Sequence, residues 1–163
     1  MCEICKDEIQ EEIQSGFRCP HLRWPRPATV IHNLCFNVGQ CLEVRGFIPH
    51  DCKQFNIDLG TDGKNLVLHF NPRFDIFGDD RKIILNSLKD GVWGEEVKES
   101  FFPFQEGSDT VVCIQFENNK ISIQLPTGNP LCFPVRFPIH QISYMAVGGI
   151  ELKSIILDGS IIQ

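Results

Sequence analysis

The sequence has no long apolar run and no excess of positive charge. None of its hydrophobic segments approaches the roughly 20 residues that a helix needs to cross a bilayer. The net charge of −6 at pH 7 argues against nucleic acid or an anionic membrane as a general partner, because both select for a basic surface. The N-terminus lacks the basic start and apolar middle of a signal peptide, so we expect synthesis in the cytosol. The expected protein neither binds nucleic acid nor inserts into a membrane.

Internal repeats and helical periodicity are also missing. A chain of 163 residues without a repeat fits one domain with a substantial core. We therefore predict a single folded domain over residues 30–163. Residues 1–29 are predicted to be an acidic extension, short helical or disordered, that ends in a Pro-rich linker.

The eight cysteines predict free thiols rather than a disulfide framework, because the chain has no signal sequence. Cys113, in the run VVCIQF, is expected to fill the core as a small hydrophobe. The N-terminal Cys2, Cys5, Cys19 and His21 superficially resemble zinc ligands. However, the second pair is not a matched zinc knuckle and no turn glycines frame it, so a zinc site is the weaker interpretation.

What the sequence does contain is a succession of short alternating segments separated by turn residues. Such spacing, without helical periodicity, favours an all-β fold with two antiparallel sheets packed as a sandwich. Pro72 would remove a hydrogen-bond donor from a strand and is expected where the strand bends or reaches an edge. The predicted strands are 33–38, 41–45, 55–59, 66–70, 81–86, 111–116 and 120–125, with turns at 90–91 and 117–119.

One predicted strand carries a row of hydrogen-bonding side chains. Because side chains alternate along a strand, His69, Asn71 and Arg73 project from one face while Leu68 and Phe70 point to the core. An imidazole, an amide and a guanidinium in one row suit a rigid, neutral, hydroxyl-rich ligand. The alternatives are an ordinary solvated sheet face and a metal site at the histidine, which lacks a second strong ligand at metal spacing.

Three further residues extend this polar set in the next two segments. Trp93, flanked by two glycines that leave room for a ligand, combines a large apolar area with a polar rim and could cover the C–H face of a sugar ring. A core tryptophan is the alternative interpretation. Asn86 adds an amide, and Glu96 could brace Arg73 through a charge-assisted pair. The combined set suits a rigid, neutral, hydroxyl-rich ligand better than an ordinary solvated sheet face.

The strings LHFNPRF, LNS, WGEE and FPFQ, in this order, closely resemble the galectin family, the metal-independent lectins for β-galactosides. The resemblance runs from about Val30 to near the C-terminus and is closest to the short single-domain members. It implies a jelly-roll, concanavalin-like topology, no catalysis, and no cofactor or metal. It also implies export from the cytosol to the extracellular space without a signal peptide. A homodimer would form through the terminal strands, here roughly Val30–Phe36 and Leu152–Ile162.

The resemblance implies a role for each candidate residue. His69, Asn71 and Arg73 would hydrogen-bond the axial C4 hydroxyl of galactose. An equatorial hydroxyl would leave these buried partners unpaired, which explains a preference for galactose over glucose. Asn86 and Glu96 would hold the exocyclic hydroxymethyl oxygen. The predicted carbohydrate-binding residues are His69, Asn71, Arg73, Asn86, Trp93, Glu96 and Lys98.

Two positions depart from the family pattern. Lys98 stands where most sugar-binding galectins carry arginine, and lysine is a flexible point charge without arginine's planar fork. Phe77 stands where close relatives have histidine near the second sugar. We expect altered contacts to the sugar on the reducing side, with galactose recognition intact.

Other functions fit the sequence less well. A glycoside hydrolase needs two carboxylates across the scissile bond, and beyond Glu96 it would have to recruit Asp75 or Asp79 from a loop. A galectin-like protein-interaction module with weakened sugar binding is favoured only by Lys98 and Phe77. A calcium-dependent lectin is disfavoured because no acidic cluster supplies enough oxygen ligands.

Overall fold

Two antiparallel sheets account for most of residues 28–162, the part of the chain that this computed structural model describes. The N-terminal extension and its cysteine cluster lie outside the described residues. No helix long and apolar enough to cross a membrane occurs in residues 28–162. The strands are β1 Thr29–Ile31, β2 Phe36–Asn37, β3 Cys41–Ile48, β4 Asn56–Asp62, β5 Asn65–Ile76, β6 Asp79–Lys89, β7 Val92–Trp93, β8 Val97–Glu99, β9 Ser108–Phe116, β10 Lys120–Gln124, β11 Leu131–Pro134, β12 Gln141–Ile142, β13 Tyr144–Gly148, β14 Glu151–Leu157 and β15 Ser160–Ile161.

The strand order confirms the predicted all-β, two-sheet antiparallel jelly-roll sandwich. A seven-stranded sheet has the order β1-β13-β4-β5-β6-β7, and β8 also pairs with β6. A six-stranded sheet has the order β11-β10-β9-β3-β14-β15, and β2 pairs with β12 separately. Hairpin neighbours such as β5 and β6 alternate with pairs that are far apart in sequence, such as β13 with β4 and β14 with β3, so the fold also depends on long-range pairing.

The main core lies between the two sheets and follows the two-residue alternation of the strands. Along β3, Leu42, Val44 and Ile48 are buried while Cys41 and Arg45 are exposed. Aromatic rings fill the centre with edge-to-face contacts such as Phe55–Phe104 at 5.1 Å. Each fully buried aliphatic or aromatic side chain contributes about 1.5–3 kcal/mol, so this core stabilises the scaffold that carries the polar face.

The predicted strand over 33–38 is wrong in its first half. Strand β1 ends at Ile31, and Asn33 has a φ of 57°, in the left-handed region that asparagine tolerates better than most residues. The chain turns there, and the Leu34 amide donates to the Ser143 carbonyl at 2.9 Å. The proposed terminal strand Val30–Phe36 is therefore two short strands that belong to different sheets.

Cys113 does not fill the core as expected. It lies on β9 between the buried Val112 and Ile114, so it points to the outer face, opposite Glu43. Partial burial, then the charge of Glu43 and the nearby Cys41, raise the pKa of the Cys113 thiol. The cysteines of residues 28–162 are all free thiols.

Candidate functional site

A groove lies on the outer face of the seven-stranded sheet, opposite the main core, and we call this face the groove face. The structure brings six of the seven predicted site residues together there. Asn71 is the exception: it is 1% exposed, and its side-chain oxygen accepts a hydrogen bond from Arg73. The residues that line the groove are His69, Arg73, Phe77, Asp79, Asn86, Trp93, Gly94, Glu96 and Lys98.

The hairpin of β5 and β6 places most of these side chains. His69 lies directly opposite Asn86 in the register, and Lys98 of β8 lies opposite Ile84 on the other side of β6. The turn uses Phe77 and Gly78 at φ values of 55° and 80°, as a two-residue hairpin turn of type I′ requires. The left-handed conformation is unusual for a bulky side chain and keeps Phe77 at the groove.

His69 is oriented by a carboxylate on the neighbouring strand. Its Nδ1 lies 2.5 Å from Oδ1 of Asp58, which is its register partner on β4. The Asn56 side chain donates to the other oxygen of this carboxylate at 2.8 Å. With Nδ1 as the donor to the carboxylate, Nε2 becomes a hydrogen-bond acceptor and can receive a hydroxyl proton.

Trp93 forms an aromatic wall of the groove. Its side chain is 42% exposed, which excludes the core-tryptophan interpretation. The ring centroid lies 4.8 Å from that of His69, and the two planes are tilted by 59°. An apolar surface therefore adjoins a hydrogen-bonding group, which is the combination that one face of a sugar ring can use.

Arg73 is held at three of its nitrogens. Its Nη1 donates to Asp79 at 2.7 Å and its Nε donates to the Asn71 side-chain oxygen at 2.9 Å. The Glu96 carboxylate is 3.7 Å from Nη2, so Glu96 is the weaker of the two acidic partners. The guanidinium also lies 5.1 Å from the Phe77 ring centroid, within cation–π range. A guanidinium so held has little rotational freedom left to lose on binding.

The proline that follows Asn71 explains how this amide is held. Strand β5 runs through Pro72, whose carbonyl accepts a hydrogen bond from the Phe55 amide at 3.1 Å. Proline has no N–H group and therefore cannot donate a hydrogen bond to the Phe55 carbonyl. The Asn71 side chain donates to that carbonyl instead, at 2.9 Å. On its other side Pro72 pairs with Ile83 of β6, and Gln54 bridges to Arg73, so the proline does not lie at the edge that the sequence offered as one explanation.

Asp79 is a central residue of the site that the sequence interpretation placed on a loop. It is the first residue of β6, is buried, and also accepts a hydrogen bond from Lys98 at 2.8 Å. Burial is the largest influence on the pKa of Asp79 and would raise it, but hydrogen bonds and charge from Lys98 and Arg73 together lower the pKa below 3.8. The signal available in the sequence was the arginine of the polar row, because a guanidinium held in a site needs a carboxylate nearby.

Arg136 is a second residue that sequence reasoning missed. Its Nη1 donates to Asn86 Oδ1 and Ser87 Oγ, each at 3.1 Å, and its Nη2 donates to the Glu95 carbonyl at 2.7 Å. It thereby ties the segment between β7 and β8 to strand β6. No local sequence pattern predicts this contact, because Arg136 and Asn86 are 50 residues apart in the chain.

Gly94 lines the groove and also has a packing role that the sequence did not predict. A Cβ atom at this position would lie 2.7 Å from Arg136 Nη1 and 2.9 Å from Ser87 Oγ. The Gly94 carbonyl accepts a hydrogen bond from the Asn86 side chain at 3.0 Å. Gly94 therefore allows the Trp93–Glu96 segment to pack closely on β6.

The described residues offer no ready metal site. No three His, Cys, Asp or Glu side chains among residues 28–162 are placed to hold one ion together. The side chains that line the groove include hydrogen-bond donors, hydrogen-bond acceptors and an indole.

Comparison with known proteins agrees with this geometry. A sequence model described as galactoside-binding lectin matches residues 27–157. Mouse galectin-1 is 48% identical over 120 residues, which cover 74% of this chain and 89% of the relative.

Two solved structures are similar over most of the chain. A toad ovary galectin in complex with thio-digalactose is 41% identical, with a TM-score of 0.78 over 80% of this chain and 97% of that one. CG-16, a homodimeric agglutinin from chicken liver, is 38% identical, with a TM-score of 0.77 over 80% of this chain and 98% of that one. The chain belongs to the galactoside-binding lectins, the galectins.

Proposed function

We propose that this protein is a metal-independent lectin that binds β-galactosides of the lactose or N-acetyllactosamine type. The observation that carries the proposal is the exposed indole of Trp93 beside His69 and the fixed Arg73 in one groove. The toad ovary relatives, solved with N-acetylgalactose and thio-digalactose, support the same ligand class.

Each groove residue then has a defined task. The Trp93 ring covers the apolar face of galactose, while His69 Nε2 and the Arg73 guanidinium hydrogen-bond the axial hydroxyl. Asn71 completes this set mainly by holding Arg73, because its amide is already bonded to Phe55 and Arg73. The exocyclic hydroxymethyl group is assigned to Asn86 and Glu96.

The second sugar is assigned to the end of the groove that Lys98 and Phe77 line. The Lys98 ammonium donates a hydrogen bond to Asp79 rather than to Glu96. The planar fork of an arginine at this position could pair with Glu96 and contact the second sugar at the same time. The exposed Phe77 ring offers apolar area where a polar side chain would offer a hydrogen bond. We therefore propose weaker or altered contacts to the reducing-side sugar. These two positions alone favour the alternative of a galectin-like protein-interaction module.

We propose binding without catalysis. A glycosidase needs a carboxylic acid whose pKa is raised so that it can protonate the leaving group. Asp79 has the opposite property, because Lys98 and Arg73 hold it ionised with a lowered pKa. Glu96, 44% exposed in its side chain, would be left without a suitable partner.

We also propose a homodimer, which would raise avidity for clustered glycans. Small hydroxylated ligands bind weakly, with dissociation constants on the order of micromolar to millimolar, so two linked sites help. Strands β1 and β15 end their sheets and are the candidate edges, as the homodimeric state of the chicken relative suggests. The proposed location is the cytosol, with export to the extracellular space without a signal peptide.

Retention on immobilised lactose tests the proposal. The purified full-length protein should bind in the presence of a chelator and elute with lactose but not with the same concentration of sucrose. Flow-through of a folded protein, or a requirement for added metal, would contradict it.

A further inference from the structure

Two aromatic side chains line the groove at separate points along strand β5. Trp93 lies beside His69, with the two ring centroids 4.8 Å apart. Phe77 lies beside Arg73, whose guanidinium is 5.1 Å from the centroid of the Phe77 ring. His69 and Arg73 are four residues apart on β5, and a strand rises about 3.3 Å per residue, so about 13 Å separates their backbone positions. This separation is longer than one hexose ring and suits a ligand of two linked rings.

Phe77 is exposed in the groove although its side chain is entirely apolar. It is 49% exposed, more than Trp93 at the other end. Its φ of 55° lies in the left-handed region, which a bulky side chain rarely adopts. The type I′ turn that Phe77 forms with Gly78 favours asparagine at this position, so the turn does not explain the phenylalanine. An aromatic ring held at a groove against its conformational preference indicates a role in binding.

The charged groups next to Phe77 are engaged with one another. Arg73 and Lys98 both donate hydrogen bonds to Asp79, at 2.7 and 2.8 Å. The Phe77 ring itself offers no hydrogen-bonding group. A hydroxylated ring that rests on Phe77 would exchange hydrogen bonds to water for apolar contact, which costs free energy, whereas a flat apolar ring gains from the same contact. This end of the groove therefore suits an apolar group better than a hydroxylated one.

We propose that Phe77 is a second aromatic platform, and that the protein prefers β-galactosides whose aglycone presents a flat apolar ring to it. This inference rests on the proposed function, because it places galactose at Trp93 and the aglycone towards Phe77. Arg73 is fixed by Asp79 and Asn71 and lies within cation–π range of the Phe77 ring, so the platform is positioned before the ligand arrives. The ligand class is the aryl β-galactosides, of which phenyl β-galactoside is the simplest.

Calorimetric titration of the full-length protein with three galactosides measures this preference. Methyl β-galactoside supplies the galactose ring alone, phenyl β-galactoside adds a flat apolar ring, and lactose adds a hydroxylated ring. The wild type should bind the phenyl galactoside about three- to tenfold more tightly than the methyl galactoside, as one additional aromatic contact allows. The gain from methyl galactoside to lactose should be smaller. Phenyl β-glucoside, which carries the same aglycone on the C4 epimer, should not bind.

Replacement of Phe77 locates the source of the gain. F77N should bring the ratio of the phenyl to the methyl galactoside affinity close to one, and asparagine before glycine suits the type I′ turn, so the hairpin is retained. F77Y keeps an aromatic ring and should keep the ratio. F101A removes an exposed ring outside the groove and, as the control, should also keep it.

The outcomes separate this inference from the proposed function. Equal binding of the methyl and phenyl galactosides by the wild type, or an unchanged ratio in F77N, would overturn the platform and leave the lectin function standing. So would lactose binding at least as tight as that of the phenyl galactoside, or a gain for lactose that F77N reduces equally. Absence of binding to all three galactosides would overturn both.

Discussion

At the residue scale, the groove is organised by charged side chains that hold one another. Asp79 accepts hydrogen bonds from both Arg73 and Lys98, and Asp58 orients His69. The donors that a sugar hydroxyl would meet are thereby fixed in advance, which reduces the entropy lost on binding. In the proposed site, selectivity for an axial hydroxyl would depend on this rigidity, because a mobile donor could follow an equatorial one.

Replacement of Trp93 by alanine should abolish retention on a lactose column. The indole provides the largest apolar contact area in the groove, and removal of such an anchor costs about 2 kcal/mol or more. A ligand that binds weakly cannot tolerate that loss. The exposed Phe101 provides a matched control, since F101A removes an aromatic ring outside the groove and should be retained like the wild type. Unchanged retention of W93A would refute the platform role.

Replacement of Asp79 by asparagine should weaken both lactose binding and the fold. The change leaves the buried Arg73 without its closest anion, and breaking a buried ion pair costs about 3 kcal/mol. Calorimetric titration and urea unfolding measure the two effects. D75N, which neutralises an exposed aspartate on the same hairpin, should change neither. Full lactose affinity in D79N would show that Arg73 does not depend on this carboxylate.

The pH dependence of the same residue has a defined sign. The folded-state pKa of Asp79 lies below its ordinary value of 3.8, so ionised Asp79 stabilises the fold above that pH. This stabilisation is lost as the pH falls through the lowered folded-state pKa. The difference in unfolding free energy between wild type and D79N should therefore be larger at about pH 6 than at about pH 2.5. A constant difference would contradict the assignment.

At the element scale, the segment between β7 and β8 directly follows Trp93, carries Glu96, and is held in place by a side chain from a distant part of the chain. Arg136 ties its Glu95 carbonyl to Asn86 and Ser87, and stacks 4.6 Å above the Phe133 ring. The position of the aromatic wall therefore depends on a residue that lies in the connection after β11.

Replacement of Arg136 by methionine should loosen this segment more than it destabilises the core. We expect the dissociation constant for lactose to rise about tenfold, which corresponds to the loss of roughly one charge-assisted hydrogen bond. The exposed Arg81, paired with Glu106, provides the control variant R81M with unchanged affinity. An R136M protein with wild-type affinity would show that the segment holds its own position.

The elements that the sequence predicted well are those with local signals. Strand β5 and its polar row follow from alternation alone, and the turn at Asp90–Gly91 follows from its residue types. The break between β1 and β2 was missed because one left-handed Asn33 interrupts an otherwise strand-like run. Cys113 was misplaced because it lies in an apolar run, in which the sequence does not show which alternate side chains face the core. Contacts such as that of Arg136 arise only when distant segments meet, and no pattern along the chain encodes them.

At the scale of the whole molecule, each sheet ends in a strand formed near one end of the described chain. Strand β1 ends the seven-stranded sheet, and β15 ends the six-stranded sheet. Exposed strand edges pair readily with another chain unless they are protected. The apolar Ile161 on β15 is 64% exposed, which favours a partner at this edge.

A charged residue at this edge should separate the proposed dimer. Sedimentation equilibrium should show a dimer for the wild type and a shift towards monomer for I161K, because lysine at a strand edge opposes pairing. Lactose affinity per site should not change, since the edge lies on the other sheet from the groove. K120A, which changes an exposed strand residue away from this edge, is the control. A wild type that sediments as a monomer would contradict the proposed assembly.

We propose that one rigid groove distinguishes an axial from an equatorial hydroxyl. The decisive experiment is titration calorimetry of the full-length protein with lactose and with cellobiose, its epimer at C4 of the non-reducing sugar. We predict saturable heat with lactose in the presence of a chelator and no measurable binding of cellobiose. Equal affinity for the two disaccharides, or no heat with either, would contradict the account.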